Sequence, residues 1–346
     1  MVKSSRTKQP SIFRFSTTAV EYYFDHRLSA LNKLASKKAT VLITDENIFR
    51  LHQNKFKGWN TIVLKAGESH KIQATVDSII EQLIGFEADR KTMLIGIGGG
   101  VVTDLTGYAA SVYMRGIPFG FVPASILAMV DASIGGKNGI DVGEYKNMVG
   151  IIRQPSFLLY DPTLLETLPE KEWSNGFAEV IKHACIRDAA AFRMLESTSL
   201  AELKKNKALL SQLIERNAKL KSAIVKKDEF EKAERKLLNF GHTIGHAVET
   251  QYELMHGEAV AIGMTCACKI SEELLGFRET DRVTDLLEEY ELPTYAEFDA
   301  GKVMNILRMD KKRVGDTMNF ILLEKIGKAK IVPIPLRKLE RIISKL

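Results

Sequence analysis

The sequence predicts an α/β protein in two parts, a parallel-sheet domain followed by a mostly α-helical domain. Three observations carry this. The first 160 residues alternate short β-branched apolar runs with amphipathic stretches, as strand–helix units around a parallel sheet do. Beyond Asp161-Pro162 the apolar period turns almost wholly helical. The chain is 346 residues long, 45% hydrophobic and 27% charged, which suffices for two cores. The expected domains are therefore 1–160 and 161–346.

In chain order, MVKSSRTKQP reads as a short frayed tail without the apolar core of a signal peptide. No element is assigned before residue 40. Residues 40–44 form a compact strand ending at Asp45, followed by a short helix over 47–52 and a strand over 61–64. Helix 71–84 places Ile72, Val76, Ile79, Ile80 and Leu83 on one face. The buried strand 92–97 runs into a glycine cluster, then helix 101–112 and strand 117–122. Residues 133–143 are glycine-rich and read as irregular, and 157–160 is one more strand. Helices are expected over 170–186, 189–196, 207–226, 240–251, 258–275, 279–290 and 301–309. A hairpin over 318–323 and 330–333 and a helix over 336–346 close the chain.

Charge and cysteine usage narrow the function classes. The net charge of +6 is scattered, with no arginine-rich tract, so small anionic substrates fit better than nucleic acid. Three cysteines without a CxxC fit reduced thiols in a cytoplasmic protein. No apolar run reaches the length of a membrane span. The mixed-sign stretch 226–236 reads as a solvated connection.

Four stretches carry chemistry. In RKLLNFGHTIGHAVETQYELMHGEAVAIGM, His242 and His246 are four residues apart, about 400° of helical rotation, so both rings share a face. Their neighbours Ala247 and Val248 are good core residues, which turns the imidazoles inward. His256 starts a second helical piece and can fold back toward His242. Histidines from adjacent segments, with one carboxylate, would make an open metal site. An HxxxH pair is weak by itself, since paired helix histidines are commonly core or surface groups. The second stretch, Gly96-Ile97-Gly98-Gly99-Gly100, joins a buried strand to a helix, where backbone N–H groups favour a pyrophosphate. It is GxGGG, not the dinucleotide fingerprint GxGxxG, and alone it is only a tight turn. Asp104 one turn on, Asp45 at a strand end, and Glu68 and Lys71 in the next loop together sketch a dinucleotide at the strands' carboxyl ends. The third stretch, from Met129 to Gly150, places Asp131, Lys137, Lys146 and Asn147 on a glycine-bent loop suited to a phosphate or carboxylate. In the fourth, Glu179 and Lys182 lie three apart on a helix otherwise packed by Phe177, Val180 and Ile181. A surface ion pair is the ordinary reading of that spacing, but a buried carboxylate must be paired or bound to metal, which makes Glu179 the candidate third ligand.

GGGVVTDLTGYAAS, RGIPFGFVPASILAMVDASIGGKNGID, YKNMVG, GFAEVIKHA, LLNFGHTIGHAVE and HGEAVAIGM, in this order, resemble the 3-dehydroquinate synthase family of sugar-phosphate cyclases. The resemblance runs from about Asp45 to Gly327. It implies an N-terminal Rossmann-like domain binding NAD and a helical domain binding a divalent metal, zinc above all, with cobalt as the alternative. It implies metal ligation by Glu179, His242 and His256. It implies substrate contacts from Asp131, Lys137, Lys146, Asn147, Lys182, Lys221, Arg235, Asn239 and His246, and cofactor contacts from Ser125, Asp131, Lys137 and Lys146. Lys311 is carried over to the phosphate site. Asn138 and Ala124-Ser125 depart from the threonines usual in the family.

The implied reaction is a carbon–oxygen lyase step that eliminates phosphate from 3-deoxy-D-arabino-heptulosonate 7-phosphate and closes the ring to 3-dehydroquinate, in the shikimate pathway to aromatic amino acids. The expected assembly is a homodimer, with neither nucleic acid nor membrane as partner. Two other enzymes compete: a sister cyclase such as 2-deoxy-scyllo-inosose synthase, and a metal-dependent polyol dehydrogenase that would release NADH.

Overall fold

The computed structural model describes residues 9–143, 145–249, 251–252, 254–309 and 313–345. The chain divides into two compact units, one of residues up to 169 with 214–230, the other of 170–213 with 231–346. The division differs from the single cut after residue 160, because the chain returns to the first unit through helix Lys207–Lys227. Helical periodicity shows that such a segment is a helix but not which core it joins.

The first unit is built on a seven-stranded sheet. Its strands are β1 (Ser11–Arg14), β2 (Ala19–Tyr23), β3 (Thr40–Asp45), β4 (Asn60–Leu64), β5 (Met93–Gly98), β6 (Phe119–Pro123) and β9 (Phe157–Leu159), in the order β1-β2-β9-β6-β5-β3-β4. Every pairing is parallel except β1 with β2. The parallel strands are apolar runs because helices cover both faces of such a sheet. Ile43, Ile95, Ile97, Val122 and Leu159 are fully buried. The β1–β2 pair occupies a stretch to which the sequence assigned no element; these strands are short, and β1 alternates half-buried and exposed residues at the sheet's edge.

The stretch expected to be irregular is instead an antiparallel hairpin of β7 (Lys137–Val142) and β8 (Tyr145–Ile152). Gly139 and Gly150 face each other across it, and they dilute the alternation that marks a strand. The register slips between Ile140 and Val142.

The second unit is helical around helix His256–Leu275, which is buried along most of its length. Helices Glu170–Arg187 and His242–Glu249 also belong to it, as does a sheet of β10 (Arg313–Val314), β11 (Thr317–Lys325) and β12 (Lys328–Pro335). Its core gathers Ile244, Val248, Ile262, Phe320, Leu322, Ile334 and Leu339. Burying each such side chain contributes about 1.5–3 kcal/mol. Among the described residues, no helix is long and apolar enough to cross a membrane.

Candidate metal and cofactor sites

In the second unit the chemistry starts from a buried charge. Helix Glu170–Arg187 is buried from Trp173 to Ile186, and within it Glu179 is 0% exposed and Lys182 1%. A carboxylate there is tolerable only when paired. Lys182 Nζ pairs with Glu179 Oε2. The other oxygen, Oε1, lies 3.3 Å from His242 Nε2 and 3.3 Å from His256 Nε2. Two donors about 2.0–2.1 Å from a tetrahedral zinc stand about 3.3–3.4 Å apart, so the spacing fits a metal. His242 Nδ1 is 3.1 Å from the Phe240 carbonyl. A carbonyl only accepts, so Nδ1 carries the proton and Nε2 keeps its lone pair for a ligand.

Electrostatics give the same donor set. Burial alone would raise Glu179, but the Lys182 ammonium beside it outweighs burial and holds the carboxyl well below the usual range. Burial, reinforced by Lys182, lowers His242, so its imidazole is neutral. An anionic carboxylate beside a neutral imidazole is what a borderline divalent cation takes.

Close helix packing brings these residues together. A Cβ at Gly257 would lie 2.2 Å from the Asn175 carbonyl oxygen, and one at Gly263 would lie 1.9 Å from that of Gly241. Glycines there let helix His256–Leu275 approach the other two, which puts His256 and His242 beside Glu179. Asn175 Oδ1 accepts from Gly257 N at 2.6 Å, fixing the start of the helix that His256 opens. The sequence carried no signal for this clamp.

His246 departs from the inward placement expected for it. It is exposed on helix His242–Glu249. Its ring centroid is 5.3 Å from that of His242 and 6.3 Å from that of His256. Arg235 is buried in the 3-10 turn Glu234–Asn239, and Asn239 donates to Glu231 Oε1 at 2.7 Å.

In the first unit, β3 and β5 are adjacent while the chain leaves them toward opposite edges of the sheet, which is the switch point where open α/β sheets bind ligands. β5 delivers Gly98-Gly99-Gly100 to helix Gly100–Val112, whose N-cap, Gly99, offers no side chain to the first-turn N–H groups. Such a turn fits a pyrophosphate. Asp45 ends β3, and its Oδ1 caps the next helix, accepting from Asn47 N at 2.9 Å and Ile48 N at 3.0 Å. Ser125 Oγ accepts from Ala128 N at 3.2 Å.

Lys71 is the hub of this unit. Its Nζ lies 2.6 Å from Asp104 Oδ2, 3.7 Å from Glu68 Oε1 and 2.7 Å from Asn147 Oδ1. Burial would lower this ammonium, but Asp104 and Glu68 outweigh it and raise it, so Lys71 stays charged. Lys221 Nζ pairs with Asp131 Oδ1 at 2.8 Å and donates to the Asp131 carbonyl at 2.7 Å. Lys137 and Lys146 are exposed near opposite ends of the β7–β8 hairpin. Lys311 lies outside the described residues. Asp141, which sequence reasoning passed over, accepts from Asn147 N at 2.6 Å. Its place at the end of an unrecognised strand was the available signal.

A nucleotide-type sheet with its turn at the switch point, and a helical unit with a carboxylate–imidazole cluster, define a nucleotide- and metal-dependent enzyme of two domains. Known proteins of that class match most of the chain. Residues 61–175 match the family model described as 3-dehydroquinate synthase N-terminal, and residues 176–313 the one described as 3-dehydroquinate synthase C-terminal. The curated 3-dehydroquinate synthase of Nitrosospira multiformis is 40% identical over 85% of this chain and 84% of its own length. The chain belongs to the 3-dehydroquinate synthase family. Among solved structures, a 2-deoxy-scyllo-inosose synthase complexed with carbaglucose-6-phosphate, NAD+ and Co2+ superposes with a TM-score of 0.84, at 25% identity, over 97% of this chain and 99% of that one. The 2-epi-5-epi-valiolone synthase of Streptomyces hygroscopicus, with NAD+ and Zn2+ bound, also gives 0.84, at 26% identity, over 97% and 98%.

Proposed function

We propose that this protein eliminates phosphate from 3-deoxy-D-arabino-heptulosonate 7-phosphate and closes the product to 3-dehydroquinate, with a divalent metal, zinc or cobalt, and with NAD regenerated at each turnover. The observation that carries the reading is the 3.3 Å convergence of His242 and His256 on one oxygen of Glu179, in a chain of this family.

Glu179, His242 and His256 would hold the metal, and Gly98, Gly99, Gly100, Asp45, Glu68, Lys71, Asp104 and Ser125 the NAD. When bound, NAD supplies a hydride acceptor that returns what it takes. When bound, the metal supplies a Lewis acid for the substrate's oxygens. Lys182 keeps Glu179 anionic and adds fixed positive charge. Lys137, Lys146 and Asn147 grip the phosphate, and Asp131 and the lysines also border the cofactor. Lys221 orients Asp131, and Arg235 and Asn239 bind the rest of an anionic substrate. His246, exposed and one turn from His242, moves protons during ring opening and closure, a role that suits an imidazole at neutral pH.

The sister cyclases share the fold, but the curated relatives at about 40% identity favour the dehydroquinate branch. Identifying the products formed from the heptulosonate phosphate and from an aldohexose phosphate tests the choice. Cyclisation of the hexose phosphate alone would overturn it. We also infer a homodimer in the cytoplasm. The exposed Tyr145, Met148, Val149 and Ile151 on β8 support the dimer, and three buried free thiols suit a reducing compartment. Light scattering at the monomer mass would contradict the dimer.

A further inference from the structure

We propose that Asp141 and Lys71 are positioning residues, which together turn the donor end of the Asn147 carboxamide toward the substrate phosphate. This deepens the proposed function and rests on its placing of Asn147 at the phosphate. Asn147 has a φ of 55°, a left-handed conformation that asparagine tolerates better than most residues. Its peptide N donates to Asp141 Oδ1 at 2.6 Å. Asp141 is itself buried, and its N donates to the Lys71 carbonyl at 2.8 Å. The register slip beside Ile140 gives β8 the extra residues that form this turn.

Lys71 fixes the side chain. An ammonium has three donors and no acceptor, so the Asn147 amide must offer it the oxygen, which it does at 2.7 Å. The two Nδ2–H donors then face away from Lys71. Phosphate is rich in acceptors, so the amide has to meet it donor-first, and a flipped amide would set its oxygen against the anion. The same ammonium pairs with Asp104 and Glu68. One buried charge therefore serves both the residues assigned to NAD and the residue assigned to phosphate, and Asp141 sets the backbone that makes this possible.

The test uses the full chain loaded with Zn2+ and NAD, and three variants. Asp141→Ala is expected to raise KM and the inhibition constant for inorganic phosphate about tenfold, with little change in kcat or NAD affinity. Asp141→Asn keeps an acceptor oxygen and should recover most of that loss. Asn147→Asp can still pair with Lys71, so its Tm should hold, yet it presents a carboxylate to the phosphate and should weaken phosphate binding at least as much. Parent-like phosphate binding in Asp141→Ala or in Asn147→Asp would overturn the proposal, and so would equal losses in Asp141→Ala and Asp141→Asn. Should the parent release no phosphate from the sugar, the fault lies with the proposed function. Calorimetric binding of inorganic phosphate to the same variants still decides the positioning.

Discussion

Glu179 in the helical unit and Lys71 in the sheet unit are both buried ions, 0% and 5% exposed. Lys71 is surrounded by acceptors from Asp104, Glu68 and Asn147, so its charge is answered within the protein. Glu179 is met by a full positive charge on one side only. Lys182 meets Oε2, while two imidazole nitrogens meet Oε1, one of them neutral with its lone pair toward the carboxylate. Lone pairs that converge at 3.3 Å need a shared proton or a cation between them. The difference separates a cluster that finishes itself from one that asks for a metal, and it makes the helical unit the part whose stability depends on its ligand.

The largest effect should come from removing that ligand set. His242→Ala is expected to lose the metal and with it nearly all turnover, while NAD still binds. In the parent, free metal at 1,000 times its Kd should stabilise the fold by about 4 kcal/mol. Metal analysis, NAD titration and Tm check both points, and stoichiometric metal in His242→Ala would erase the contrast between the clusters. His246→Ala should keep metal and NAD and lose about 10²–10⁴ in kcat, the usual worth of a proton-transferring group. Near-normal kcat, or loss of the metal, would place His246 elsewhere. Lys146→Ala should raise KM and lower kcat together, about tenfold, because the leaving phosphate gains charge along the reaction. Unchanged kinetics would make Lys146 an ordinary surface lysine.

Alkaline pH tests the helical unit through its thiols. Cys185, Cys266 and Cys268 are all buried there, and burial raises each, Cys266 from 9.0 to about 11. Between those values the unfolded chain loses a proton that the folded chain keeps. The unfolded state then binds fewer protons, so stability falls as pH rises. Tm should decline from pH 9 toward 11, and a flat or rising Tm would contradict the burial of these thiols.

The sheet was legible because strands such as 40–44 and 92–97 are apolar without alternation, which only a two-sided burial explains. Glu179 was legible because a carboxylate on an apolar helix must be paired or bound, whereas the spacing of His242 and His246 alone did not tell the more buried ring from the exposed one. What the sequence hid depends on distant partners. Lys221 looked like any helix lysine, and its partner Asp131 stands 90 positions away. Glu229, in the stretch read as a solvated connection, is buried and accepts from Ser16 N at 2.9 Å and Gln154 Nε2 at 2.8 Å. In the same stretch Arg235 is 2% exposed. The β1–β2 edge and the β7–β8 hairpin were missed for a local reason, since short edge strands and facing glycines leave little apolar pattern to read.

The central claim is that this chain couples a redox cofactor to phosphate elimination without net oxidation. Metal-loaded protein would be given the heptulosonate phosphate with NAD far below the substrate concentration, and phosphate release would be followed beside the near-ultraviolet absorbance of NADH. The account predicts phosphate far in excess of the NAD supplied, formation of 3-dehydroquinate, and no accumulation of NADH. One NADH for each substrate consumed, or no phosphate at all, would contradict it.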